Sequence, residues 1–200
     1  MAPPRGRPRQ FDHAAVLTSA LQIFWRQGYA ATTIDSLAAA MGLNKPSLYN
    51  AYGDKQAIYR QALAAFSAQV ENEVNTALSS SADIRKALQR FYQGAIAVYC
   101  AESPALGCFA ICTATAEAVA HADIQDDLKT IIARLDELLA ARFATARAAG
   151  QIASHHKPLD LARMTQAVLH SLAVRSRAGE SRAALTQLAN QAVALLCPAP

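Results

Sequence analysis

Two groups of side chains in this sequence have the types and spacing to do chemistry. The first is the run Asn44-Lys45-Pro46-Ser47-Leu48-Tyr49-Asn50. In a helix, Leu48 is its one large aliphatic anchor, so the opposite face presents Lys45, Ser47, Tyr49 and Asn50, with no charge pair of its own. An ammonium or amide group matches the acceptors and donors on base edges in the major groove, and hydroxyls hold phosphates. The second group is Gly107-Cys108-Phe109-Ala110-Ile111-Cys112. Thiols four residues apart share a helix face, and in a first helical turn the dipole favours the Cys108 thiolate. A thiol sensor of oxidants or electrophiles would use such a site. Cys100 lies nearby in sequence, and a soft-metal site completed by His121 is a second option. Cys108 and Cys112 as buried small hydrophobes is the third.

An enzyme with Cys108 as nucleophile would need a base and an orienting group, and no His or carboxylate stands at a recognised spacing from it. There is no phosphate loop or dinucleotide fingerprint. No C-x-x-C or H-x-x-x-H occurs, and His155-His156 is remote in sequence from the cysteines. No catalytic residue, cofactor or metal is therefore expected. Four cysteines in a chain of this size do not make a disulfide scaffold.

The elements that position the first group can be read from breakers and stripes. Ile34, Leu37, Ala38 and Met41 form one helical stripe, and Gly42 follows where a left-handed residue can close the helix. Asn44 can cap a second helix, and Pro46 near its first turn needs no partner for its missing N–H. Two short helices about three residues apart make a helix-turn-helix. A preceding helix, capped by Asp12 and stopped by Gly28, buries Val16, Ala20, Ile23 and Phe24. After Gly53, Asp54 can cap a long helix with Ile58, Ala62, Phe66, Val70 and Val74 inward, and its N-terminus offers Lys55 as a phosphate clamp.

Residues 11–63 resemble the N-terminal domain of the TetR/AcrR family of transcriptional regulators. The landmarks are Phe24-Trp25, Gly28-Tyr29, Thr32-Thr33, Leu37-Ala38, Gly42, Ser47-Leu48-Tyr49 and Asp54-Lys55. The resemblance implies a dimeric, ligand-responsive regulator, most often a repressor, with a helical C-terminal domain. It also implies nine helices and a four-helix dimer interface made by the last two. A Gly-Cys pair at the position of Gly107-Cys108 is similar to that of electrophile-responsive members.

Charge agrees with a nucleic-acid partner at one end. Residues 1–60 hold seven Lys or Arg against three Asp, and the rest carry twelve charges of each sign. Arg5, Arg7 and Arg9 lie in a Pro/Arg segment without apolar periodicity, which reads as a disordered basic arm able to follow phosphates or enter a minor groove. The candidate DNA contacts are Arg5, Arg7, Arg9, Thr33, Asn44, Lys45, Pro46, Ser47, Tyr49, Asn50, Tyr52 and Lys55. Double-stranded DNA is the expected partner, and a non-specific architectural DNA binder is the alternative function.

The remaining sequence is helical by pattern, with no strand alternation. The expected order is an arm (1–10), a helix-turn-helix domain (11–54) and a helical ligand-binding and dimerisation domain (55–200). Ser79-Ser80-Ser81 marks a break. Further helices follow over Ile84, Leu88, Phe91, Ala95 and Val98, over 107–121, and over Ile124, Leu128, Ile131, Leu135 and Leu138. The final pair, residues 159–178 and 181–196, carries Leu161, Met164, Val168 and Leu172, then Leu185, Leu188, Ala192 and Leu195. Its other faces are rich in Ala and Ser and include Ala167, Ser171, Ala189 and Val193, enough apolar cover to pack on a second copy. An effector cavity is expected among residues 54–150, lined by Phe66, Phe91, Tyr99, Cys108, Phe109 and Cys112. No apolar run is long enough to span a bilayer and no signal core follows the first arginines, so the protein is expected in the cytoplasm.

Overall fold

The computed structural model describes residues 13–197, and the described residues form helices with no strand among them. The helices are α1 (His13–Ala31), α2 (Ile34–Met41), α3 (Lys45–Tyr52), α4 (Lys55–Ser79), α5 (Ile84–Tyr99), α6 (Thr115–Glu117), α7 (Ala122–Ala148), α8 (Pro158–Arg177) and α9 (Arg182–Leu196), with a π-helical turn Ala110–Ala114 leading into α6. The chain divides between Ala62 and Leu63, inside α4, into two compact units. Asp12 and the three arginines of the expected arm lie outside the described residues. No described helix is long and apolar enough to cross a membrane.

In the first unit the expected breakers act where the sequence puts them. The Thr33 hydroxyl accepts from the Ser36 amide at 3.1 Å, and the Ser36 hydroxyl accepts from the Thr33 amide at 3.1 Å, which closes a capping box on α2. Gly42 ends α2 in the left-handed region with φ 65°. Asn44 then opens α3, its side-chain oxygen accepting from the Ser47 amide at 2.8 Å. Gly28, at φ 78° and ψ 169°, interrupts α1 as expected, although one more turn follows it before Ala31. The core is aromatic: Phe24 meets Tyr59 edge-on at 5.1 Å, and Tyr29 meets the same ring at 5.1 Å. Around them Ala20, Leu37, Leu48 and Ile58 are fully buried, each large aliphatic side chain contributing roughly 1.5–3 kcal/mol.

The second unit is built on α5, whose Ile84, Leu88, Phe91, Tyr92, Ile96 and Tyr99 recur at helical spacing and are all buried against α8 and α9. Tyr92 satisfies its hydroxyl by donating to the Thr165 carbonyl on α8 at 3.0 Å. At one end, Arg142 of α7 donates to the carbonyls of Leu78, Ser81 and Ala82. Gln151 completes the clasp, accepting from the Ile84 amide at 2.8 Å and donating to the Ala82 carbonyl at 3.0 Å. Those contacts satisfy the C-terminal carbonyl of α4 and the turn that follows.

Three expectations about this unit change. The helix expected over 107–121 starts only after Cys108 and opens as a π-turn, because Gly107 has φ +67° and packs against the Ala173 carbonyl. On α8 the single side expected to carry Leu161, Met164, Val168 and Leu172 divides: Met164 is 57% exposed, while Leu161 and Leu172 are buried together with Leu169. On α9 the expected stripe of Leu185, Leu188, Ala192 and Leu195 divides likewise: Leu195 is 83% exposed, whereas Ala189 and Val193, expected on a different face from that stripe, are buried. Where Ala and Leu alternate around a helix, several stripes fit the sequence equally, and contact with α5 selects Leu185, Ala189, Ala192 and Val193.

Candidate nucleic-acid interface

The reading face is assembled by two turns of chain. The αL Gly42 and the Asn44 cap fix the angle at which α3 leaves α2. Leu48 is fully buried and pins α3 to the core, leaving Lys45, Pro46, Ser47, Tyr49 and Asn50 exposed. Tyr49, at 49% exposure, is the large aromatic of that face. Thr33 and Asn44 are also exposed, but their side-chain oxygens already serve as caps, so what each retains for a phosphate is its remaining hydrogen-bonding capacity.

Two placements differ from the sequence reading. Tyr52 is buried, not a groove contact: its hydroxyl lies 3.0 Å from His13 Nδ1 and its ring tilts against the His13 ring at 5.6 Å. It falls on the Leu48 side of α3, four residues on, so the same stripe carries both inward. The face also does carry a charge pair, since Lys45 Nζ lies 2.7 Å from Asp35 Oδ1 on α2. The hydrogen bond and charge of Asp35 hold the Lys45 ammonium above its ordinary pKa. A helix-by-helix reading misses this pair because its members are ten residues apart and meet only when the turn forms.

At the start of α4, Asp54 accepts from the Ala57 amide at 2.8 Å and so caps the helix as expected. Lys55 lies beside it with its ammonium 4.4 Å from the centre of the Tyr29 ring and 3.3 Å from the Ala30 carbonyl, to which it donates. The charge is thereby held at the C-terminal turn of α1, where the helix dipole also favours a cation.

In the second unit Phe66 and Phe109 meet edge-on at 5.6 Å, and Phe66, Phe91, Tyr99 and Phe109 are all buried. Cys108 and Cys112 are half-buried beside Tyr99. The lowered thiol pKa expected for Cys108 is overturned. Burial pushes it up to about 11, although the Ile111 and Ala110 amides and the Tyr99 hydroxyl donate toward the sulfur and pull the other way. Helix-start donors are present, but desolvation outweighs them. His121 pairs with Glu117 at 3.9 Å, and among the described residues no cluster of three or more His, Cys, Asp or Glu could hold a metal.

Comparison with known proteins adds to this geometry. Residues 16–62, which span the helix-turn-helix and its flanking helices, match the model of the bacterial regulatory proteins, tetR family. The HTH-type transcriptional repressor ComR of Escherichia coli K12 is 27% identical over 195 residues, covering 96% of this chain and 91% of that protein. A cysteine mutant of the TetR family transcriptional regulator CifR, solved with 26-base-pair operator DNA, superposes with a TM-score of 0.82 at 26% identity, covering 94% and 98% of the two chains. The regulatory protein TetR from Rhodobacter sphaeroides shares the fold, with a TM-score of 0.83 at 17% identity over 92% and 98% of the chains. The expectation drawn from Gly42, Ser47-Leu48-Tyr49 and Asp54-Lys55 is borne out to this extent: residues 16–62 match the tetR-family helix-turn-helix model, and nearly the whole chain is similar to a helix-turn-helix transcriptional repressor and to a TetR family regulator that binds operator DNA.

Proposed function

We propose that the protein is a homodimeric repressor that places two copies of α3 in successive major grooves of a palindromic operator and releases it when an effector binds the C-terminal unit. The exposed face of α3 carries this reading, because Lys45, Ser47, Tyr49 and Asn50 supply base-edge and phosphate chemistry on a helix fixed by Leu48. The CifR complex with operator DNA supports it by similarity over nearly the whole chain. In this division of labour Lys45, Tyr49 and Asn50 read bases, and Thr33 and Lys55 hold flanking phosphates. Pro46 and Asn44 set the pose of α3, and Arg5, Arg7 and Arg9 act as a basic arm.

Dimerisation through α8 and α9 is supported by their outer faces. Met164, Ala167, Ser171, Val174 and Ala178 recur at steps of three and four along α8, and Met164 and Val174 are more than half exposed. Such an apolar stripe fits a second copy. For the effector, the buried aromatic set Phe66, Phe91, Tyr99 and Phe109 favours a small, largely apolar molecule, with the Tyr99 hydroxyl as a polar handle. The raised Cys108 pKa, with its place beside Tyr99, weighs against a thiolate-reactive effector at that residue.

Selection of bound duplexes from a random pool tests the whole reading. An inverted repeat with half-sites about 34–36 Å apart, or a multiple of it, is the expected product. Sequence-independent recovery would sink the operator-specific reading. Light scattering on wild type and Met164→Glu tests the dimer separately, with a shift to half mass expected in the variant.

A further inference from the structure

Asp35 stands in the first turn of α2 and Lys45 at the first residue of α3, and the two side chains meet across the turn at 2.7 Å. Their side chains are 75% and 52% exposed, and Tyr49, four residues after Lys45 and close enough to act on its charge, shares its face of α3. One structural role open to the carboxylate is already filled, since Thr33 and Ser36 cap α2 without it. The pair itself is exposed and screened by solvent, so it adds little to stability. Nor does it help affinity, since an anion beside a polyanion weakens association.

We propose that Asp35 is a positioning residue for base reading: its carboxylate holds the Lys45 ammonium over the reading face, so that Lys45 binds an acceptor-rich base edge and is withheld from phosphates. The proposal rests on Lys45 as a base reader. An ammonium has three N–H donors. With one kept on Asp35, two remain for the O6 and N7 acceptors of a guanine. A Lys45 that swings out to a phosphate beyond the reach of Asp35 leaves the carboxylate facing the DNA backbone unpaired. Complexes held by phosphate contacts alone are therefore penalised more than complexes in which a base is read. Specificity of this kind comes from weakening the wrong complex rather than strengthening the right one.

The test uses the full chain, with Asp35→Asn, Asp35→Glu, Lys45→Ala and the Asp35→Asn/Lys45→Ala double variant. Each is titrated against the selected operator and a scrambled duplex of equal length over a range of salt. Asp35→Asn is expected to bind the scrambled duplex about tenfold more tightly while the operator affinity moves by less than about threefold. The salt slope on the scrambled duplex should steepen by about one counterion. Asp35→Glu should keep the wild-type ratio, and the double variant should match Lys45→Ala. Equal strengthening on both duplexes would make Asp35 a bulk charge and overturn the proposal while leaving Lys45 a reader. A Lys45→Ala protein with unchanged discrimination would overturn the base-reader assignment itself, and the role of Asp35 with it.

Discussion

Gly107 lies so close to Ala173 that a Cβ on it would come within 2.5 Å of the Ala173 carbonyl oxygen, and within 2.9 Å of Cys112 Sγ. The backbone there is also left-handed, with φ +67°. Gly107→Ala therefore suffers strain and a clash against helix backbone that cannot move aside. Its expected cost is on the order of 3 kcal/mol. Gly179 has φ +92° and open space around it, so Gly179→Ala should cost only about 1 kcal/mol. Urea denaturation of the two variants checks the difference.

Tyr52 separates a core role from a reading role. Tyr52→Phe removes the hydroxyl that meets His13 and should cost about 1 kcal/mol, with operator affinity within about twofold of wild type. Tyr52→Ala leaves a cavity beneath α3 and should cost roughly 3–5 kcal/mol. Thermal unfolding and DNA titration on the same samples decide the matter, and a large affinity loss in a stable Tyr52→Phe protein would return Tyr52 to the interface.

Lys55 and the α3 face should fail differently. Lys55→Ala is expected to weaken binding to all duplexes alike and to lower the salt slope by about one. Asn50→Ala should relax base preference at one position of each half-site by about 1–3 kcal/mol. Competition titrations against single-base operator variants tell the two patterns apart.

Alkaline pH should destabilise the protein. Burial raises the folded-state pKa of Cys108 and of Cys197 from about 9 to about 11. Between those values the unfolded chain has released protons that the folded chain still holds. Folding stability is therefore intact below pH 9 and falls as pH climbs toward 11. Buried Tyr92 and Tyr99, both raised by burial, extend the loss upward. Denaturant midpoints measured from pH 7 to pH 11 follow it, and Cys108→Ser should flatten part of the slope.

Local chemistry made much of this molecule legible in the sequence. Asn44 and Asp54 accept from amides three residues on, and Gly42 donates its own amide to carbonyls three and four residues back, so their types suffice to place helix ends. Residues whose role depends on distant partners were not legible. Tyr52 turns inward to His13, 39 positions away, and an eight-residue helix has too few turns for periodicity to assign its edges. Lys45 acquires its carboxylate from another helix. Small apolar residues surround both α8 and α9, so the side that turns inward, without Met164 on α8 and with Val193 on α9, is chosen only by packing against neighbours such as α5. At Cys108 the amide donors were foreseeable, but the depth of burial that outweighs them belongs to the tertiary structure.

The clasp made by Arg142 and Gln151 bears on how the chain meets a protease. Three serines in a row, followed by Ala82, look like the small-residue stretch where chains are commonly nicked. Cleavage requires roughly ten residues to leave the surface and lie extended in the enzyme's cleft. Here the Leu78, Ser81 and Ala82 carbonyls are tied to one guanidinium, and the amide of Ile84 is tied to a glutamine side chain. The segment that reads as a seam is thus sewn to α7 and its following turn, and limited digestion will open the molecule elsewhere before it opens there.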